Sequence, residues 1–120
     1  MTVRILVADD SRASQPSIIT QLPRSLHFDV TEAVSGQETI TLLNTAEFEL
    51  LLLNLSRSPA DNFRVVEAMT HALCKPRIVM CYTGAYPEQP HHLSVETITF
   101  IHTPLDRRKI ATMLSELGFL

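Results

Sequence analysis

The stretch from Phe48 to Phe63, FELLLLNLSRSPADNF, decides the fold. Successive residues of a strand point to opposite faces, so the four consecutive leucines from Leu50 to Leu53 make both faces apolar. Such a strand belongs in the middle of a parallel sheet, covered by helices on each side. The spacing predicts the strand over Glu49–Asn54 (ELLLLN), with a neutral amide at its tip and a serine- and proline-containing turn directly after it.

Working outward, short aliphatic runs alternate with segments of helical period. Upstream, VRILVA (Val3–Ala8) reads as a buried first strand and DVTEAV (Asp29–Val34) as a weaker second one. Between them Ile18, Ile19 and Leu22 form a helical apolar face, with Pro16 in the first turn and Pro23 as the stop. The segment GQETITLLNTAEF places Ile40, Leu43 and Phe48 at roughly helical spacing. Downstream, NFRVVEAMTHAL puts Phe63, Val66, Met69 and Leu73 on one helical stripe, a pattern of core packing. RIVMCYT (Arg77–Thr83) and ETITFIH (Glu96–His102) are strands four and five. The chain ends in an amphipathic helix, DRRKIATMLSELGFL, with Ile110, Met113, Leu114 and Leu117 inward and Gly118 as its stop. The connection GAYPEQPHHLSV (Gly84–Val95) holds Pro87 and Pro90, which predict a shortened or distorted helix there.

Five strands alternating with helices imply right-handed crossovers and a doubly wound, three-layer αβα sandwich of the flavodoxin-like type. Its 120 residues suit a single domain spanning 1–120. A 45% apolar and 19% charged composition is that of a soluble globule, and no apolar run approaches the ~20 residues of a membrane span. The net charge of −3 argues against nucleic acid or an anionic membrane as the main partner. MTVRILVADD has too short an apolar stretch for a signal peptide, so the expected location is the cytoplasm. Cys74 and Cys81 read as free thiols, one in a loop and one in a strand, and His91–His92 as a solvated loop pair.

In an open parallel sheet the functional crevice lies at the carboxyl ends of the strands. Those ends carry Asp9 and Asp10, then Asn54, then Thr83, then Thr103–Pro104. Vicinal carboxylates repel unless a cation or donors offset them. Helix capping by Asp10 or Ser11, and turn capping by Thr83, are the plainer readings of those residues.

With ILVADDS, LLLLN, YTGA and FIHTP in matching order, the whole chain resembles a receiver domain of bacterial two-component response regulators. The resemblance implies sheet order 2-1-3-4-5, an acidic pair that helps to hold Mg²⁺, and an aspartate at the tip of strand three that accepts a phosphoryl group. It also implies a hydroxyl after strand four that bonds the phosphoryl, and a lysine before the proline after strand five. Asn54 stands where the resemblance places the aspartate, and Thr103 where it places the lysine. Pro59 comes one place late, while Asp61–Asn62 resemble the family's Asp-Gly, asparagine being tolerant of the left-handed backbone.

A neutral amide lacks the anionic oxygen of a carboxylate nucleophile, so Asn54 is not expected to accept phosphoryl. Two carboxylates in place of three weaken Mg²⁺ binding, with Asp10, the Asn54 amide oxygen and the Ser56 carbonyl as the residual ligand set. No cofactor is required on this reading. A lysine beside an amide would leave part of its desolvation cost unanswered, which the neutral Thr103 avoids. The expected function is a non-enzymatic pseudo-receiver, an interaction module in phosphorelay signalling that works without phosphorylation. Its partner is a histidine kinase, an output domain, another signalling protein or a second copy. The docking face implied by the resemblance comprises Tyr86, Phe100, His102, Arg107, Arg108 and Lys109, although Arg107–Lys109 also read as a solvated helix face. Two alternatives stay open: a phosphoacceptor using Asp9, Asp10 or Asp61, and a flavin or nucleotide binder. The latter is disfavoured by ADDSRAS, a loop without glycine.

Overall fold

A computed structural model describes residues 2–10, 18–24, 27–55, 59–69, 75–85, 87 and 98–120. The described elements are β1 (Val3–Asp9), α1 (Ile18–Gln21), β2 (Phe28–Ala33), α2 (Gly36–Thr45), β3 (Leu50–Asn54), α3 (Pro59–Ala68), β4 (Arg77–Tyr82), β5 (Ile98–His102) and α4 (Arg107–Glu116). The strands form one sheet in the order β2-β1-β3-β4-β5, every neighbouring pair parallel. This is the doubly wound topology expected from the alternation of runs, with the four-leucine strand at its centre.

The leucine run divides between two cores. Leu51 and Leu53 pack with Phe63, Val65, Val66 and Met69 of the α3 segment and Leu43 of α2. Leu50 and Leu52 pack on the opposite face with Ile18 of α1 and Ile110, Met113 and Leu114 of α4. All four leucines are essentially inaccessible, so neither face of β3 tolerates a polar residue.

Local signals set the helix ends. Ser35 caps α2, its Oγ accepting the Glu38 N–H at 3.1 Å, while Glu38 Oε1 accepts the Val34 N–H at 3.3 Å. Asp106 caps α4 by accepting the Lys109 N–H at 2.7 Å. At the far end of α4, Gly118 adopts φ +86°, and Phe119 N–H donates to Leu114 O at 2.9 Å while Gly118 N–H donates to Ser115 O at 3.1 Å. That bond pair is a Schellman closure, and Phe119 folds back onto the core that contains Leu114.

Two sequence expectations shift. Phe48 is not on the α2 stripe, because the helix closes at Thr45; Phe48 instead enters the core from the connection to β3, under the Arg4 guanidinium at 5.1 Å. Helix α3 begins at Pro59, three residues before Asn62, because proline suits a first helical turn. Asn62 is therefore helical and not left-handed. The expected distorted helix of Gly84–Val95 lies largely outside the described residues, as do Pro16, Cys74, His91 and His92. Among the described residues no helix is long and apolar enough to cross a membrane.

Candidate functional site

The parallel register brings Asp9 and Asn54 level on neighbouring strands at the carboxyl end of the sheet. Both have the same strand parity as Ile5, Val7, Leu50 and Leu52, so both face the α1–α4 side. Asp9 is buried, at 5% exposure. Its Oδ2 accepts the Ile18 N–H of α1 at 3.1 Å, and its Oδ1 accepts from Asn54 Nδ2 at 3.4 Å. An ionised carboxylate only accepts, so the amide must turn its nitrogen toward Asp9. An aspartate at 54 could not make that contact. The amide N–H thus meets the Asp9 carboxylate with a donor where a second carboxylate would repel it.

The acid reaching the α1 segment is Asp9, where the sequence pointed to Asp10 or Ser11. Strand parity accounts for the difference: Asp9 continues the inward series of Ile5 and Val7, whereas Asp10 follows the last strand residue and is half-buried. Ser11 and Ser56 lie outside the described residues. Of the expected weak metal set, Asp10 and Asn54 are therefore described, and Asp9 already engages donors through both oxygens. Among the described residues no group of three or more His, Cys, Asp or Glu could hold a metal ion.

The two hydroxyls form a second pair. Thr83 Oγ and Thr103 Oγ lie 2.5 Å apart, and Thr103 Oγ donates to Tyr82 O at 3.2 Å. A hydroxyl has one proton, so Thr83 donates to Thr103. Thr83 therefore spends its hydrogen across to the β5 end, while its oxygen keeps lone pairs for a further donor. Thr103 is also tied through its N–H to Tyr82 O at 2.8 Å and is 6% exposed. The Thr103–Pro104 peptide is cis. Cys81, one residue before Tyr82, is buried below this layer; burial, and then the nearby charge of Asp9, push its thiol up to about 12.

Two residues of the site were not singled out for their actual contacts. Asn62 is 3% exposed; its Oδ1 accepts the Leu55 N–H at 3.0 Å and its Nδ2 donates to Leu55 O at 3.4 Å. The peptide next to Asn54 is thus gripped by one side chain. A buried amide seven residues past Leu55 is a weak sequence signal, since it needs the α3 start to be known. Lys109, read as part of the docking triplet, also donates from Nζ to His102 O at 2.7 Å and Pro104 O at 3.1 Å.

The expected docking face divides. Phe100, Arg108 and Lys109 line one groove of about 370 Å³ between β5 and α4. Arg107 lines a different groove, of about 450 Å³, against Ile19–Arg24. Exposed His102 stands edge-on to Tyr82, ring centres 4.9 Å apart, and Phe100 packs partly against the α2–α3 core. Tyr86 lies outside the described residues. Asp61 sits in the first turn of α3, 3.7 Å from Arg64.

Five parallel strands in the order 2-1-3-4-5, with helices on both faces and polar tips at one end, define a doubly wound, flavodoxin-like α/β domain. A crystal structure of a response regulator receiver domain protein from Bacillus halodurans C-125 has this fold. The likeness covers 97% of this chain and 97% of that one, with a TM-score of 0.66 at 16% sequence identity. No protein-family model matches the chain, and no curated protein does.

Proposed function

We propose that this chain is a receiver-like module of two-component signalling that acts by protein contact, without taking a phosphoryl group. The observation that carries the reading is the Asn54 amide directed at the Asp9 carboxylate at 3.4 Å. Phosphoryl transfer to a receiver needs an anionic oxygen at the strand-three tip, with a divalent cation balancing the charge. Here the tip residue is neutral and already donates to the neighbouring acid. The Thr103 hydroxyl replaces an ammonium, and both hydroxyls are bonded to each other. Mg²⁺ would be held weakly, through Asp10 and the Ser56 carbonyl with the Asn54 oxygen turned inward; that turn costs the contact to Asp9. The domain is then a cytoplasmic, non-enzymatic partner of a kinase, an output domain or a second copy, docking through the Phe100–Arg108–Lys109 groove.

Incubation with Mg²⁺ and a small phosphodonor, followed by intact mass, tests this. The expected result is no added phosphoryl on the natural chain and little on Asn54→Asp, because Thr103 offers no positive charge. A stable single phosphoryl on the natural chain would defeat the proposal, and efficient labelling of Asn54→Asp would defeat the role given to Thr103.

A further inference from the structure

We infer that Lys109 is a positioning residue: its ammonium staples the β5–α4 connection from outside and thereby holds the Thr83–Thr103 hydroxyl pair closed. The inference rests on the reading of that pair as part of a static pocket. The carbonyls it binds, His102 O at 2.7 Å and Pro104 O at 3.1 Å, flank Thr103 on both sides. This connection is short of donors, since Pro104 has no N–H, and carbonyls past the last rung of a sheet need partners from elsewhere. An ammonium has three N–H donors and makes charge-assisted bonds, the stronger kind.

The staple springs from a fixed point. Lys109 is in the first turn of α4, where its own N–H is held by the Asp106 carboxylate at 2.7 Å. The other side of Thr103 is anchored to β4 through Tyr82 O, by N–H at 2.8 Å and by Oγ at 3.2 Å. Thr103 is thus clamped between a strand carbonyl and a loop whose two carbonyls share one cation. In this chain the positive charge lies behind residue 103 instead of at it. Lys109 also lines the groove beside Phe100 and Arg108, so the same side chain touches both the proposed docking surface and the backbone of the pocket.

Amide hydrogen exchange resolved by residue tests the staple in the intact chain. Lys109→Met keeps the stem and removes the ammonium; it should speed exchange of the Thr103 N–H by about tenfold or more through local opening. Central amides such as Leu52 should be unchanged. Lys109→Arg, which restores N–H donors, should recover most of the protection, and Arg108→Met should have no effect on Thr103. Unchanged Thr103 exchange in Lys109→Met, equal acceleration at Leu52, or the same effect from Arg108→Met would each overturn the inference. None of these outcomes depends on whether residue 54 takes a phosphoryl group, so the phosphodonor test and this one fail separately.

Discussion

Asn62 holds Leu55 by both polar groups of its backbone, accepting its N–H at 3.0 Å and donating to its carbonyl at 3.4 Å. This grip lies one residue past Asn54 and fixes where the strand tip ends. Both Asn62 and Leu55 are buried, so water cannot replace either bond. Asn62→Ala should therefore destabilise the fold by about 1–3 kcal/mol, the cost of stranding buried backbone groups. Asn62→Asp should be at least as harmful, because a carboxylate faces Leu55 O without a donor. Urea unfolding of both variants checks the order; a neutral Asn62→Ala would show that the grip contributes little.

Asn54→Asp replaces a donor with a like charge opposite Asp9. Without divalent cations the variant should lose about 1–2 kcal/mol at neutral pH, equivalent to roughly a one-unit pKa shift between coupled carboxylates. Millimolar Mg²⁺ should return much of that loss, while barely moving the melting temperature of the natural chain, since a ligand stabilises only the state that binds it. Thermal melts with and without Mg²⁺ decide this. Equal Mg²⁺ stabilisation of both proteins would contradict the weakened metal site.

Cys81 should resist alkylation at neutral pH, because its thiol is held at about 12 by burial and by Asp9, against 9.0 for the free group. The sign of the pH effect follows. Between those values the unfolded thiol loses its proton and the folded one keeps it, so the unfolded state binds fewer protons and stability falls as pH rises. The slope is about 1.4 kcal/mol per pH unit for one fully responding group. Peptide mapping after native alkylation, and unfolding at increasing alkaline pH against Cys81→Ala, measure the two effects. Ready modification of Cys81 in the folded chain would refute the first.

Gly118→Ala should cost about 1 kcal/mol. The added Cβ would meet no atom within 4 Å, so the penalty is purely that of a left-handed backbone at φ +86°. Chemical denaturation gives the number; a stabilised variant would mean that the turn relaxes to another conformation.

Arg108→Glu reverses a charge on the groove beside Phe100 and should weaken capture of a signalling partner while leaving stability within about 0.5 kcal/mol, as for exposed substitutions generally. Comparing purified-partner binding for Arg108→Glu and Arg107→Glu locates the surface, since Arg107 lines the other groove. A loss confined to Arg107→Glu would move the docking face to the α1 side.

The layer architecture and the central place of β3 were legible in the residue pattern. Period-two and period-3.6 burial is written locally, and a run such as Leu50–Leu53 admits few environments. The same holds for the chemical oddity of the site, an amide and a hydroxyl where the resemblance calls for charge. What the pattern did not contain was which donor meets which acceptor. Asp9 meets Asn54 across 45 positions, and Thr83 meets Thr103 across 20. Strand parity would have singled out Asp9 over Asp10, but the grip of Asn62 depends on where α3 starts, and the staple of Lys109 on how far a flexible stem folds back. Apolar burial is additive along the chain and can be read from it. A hydrogen bond depends on distance and direction between separated groups, and only the packed sheet and helices bring those to within bonding range.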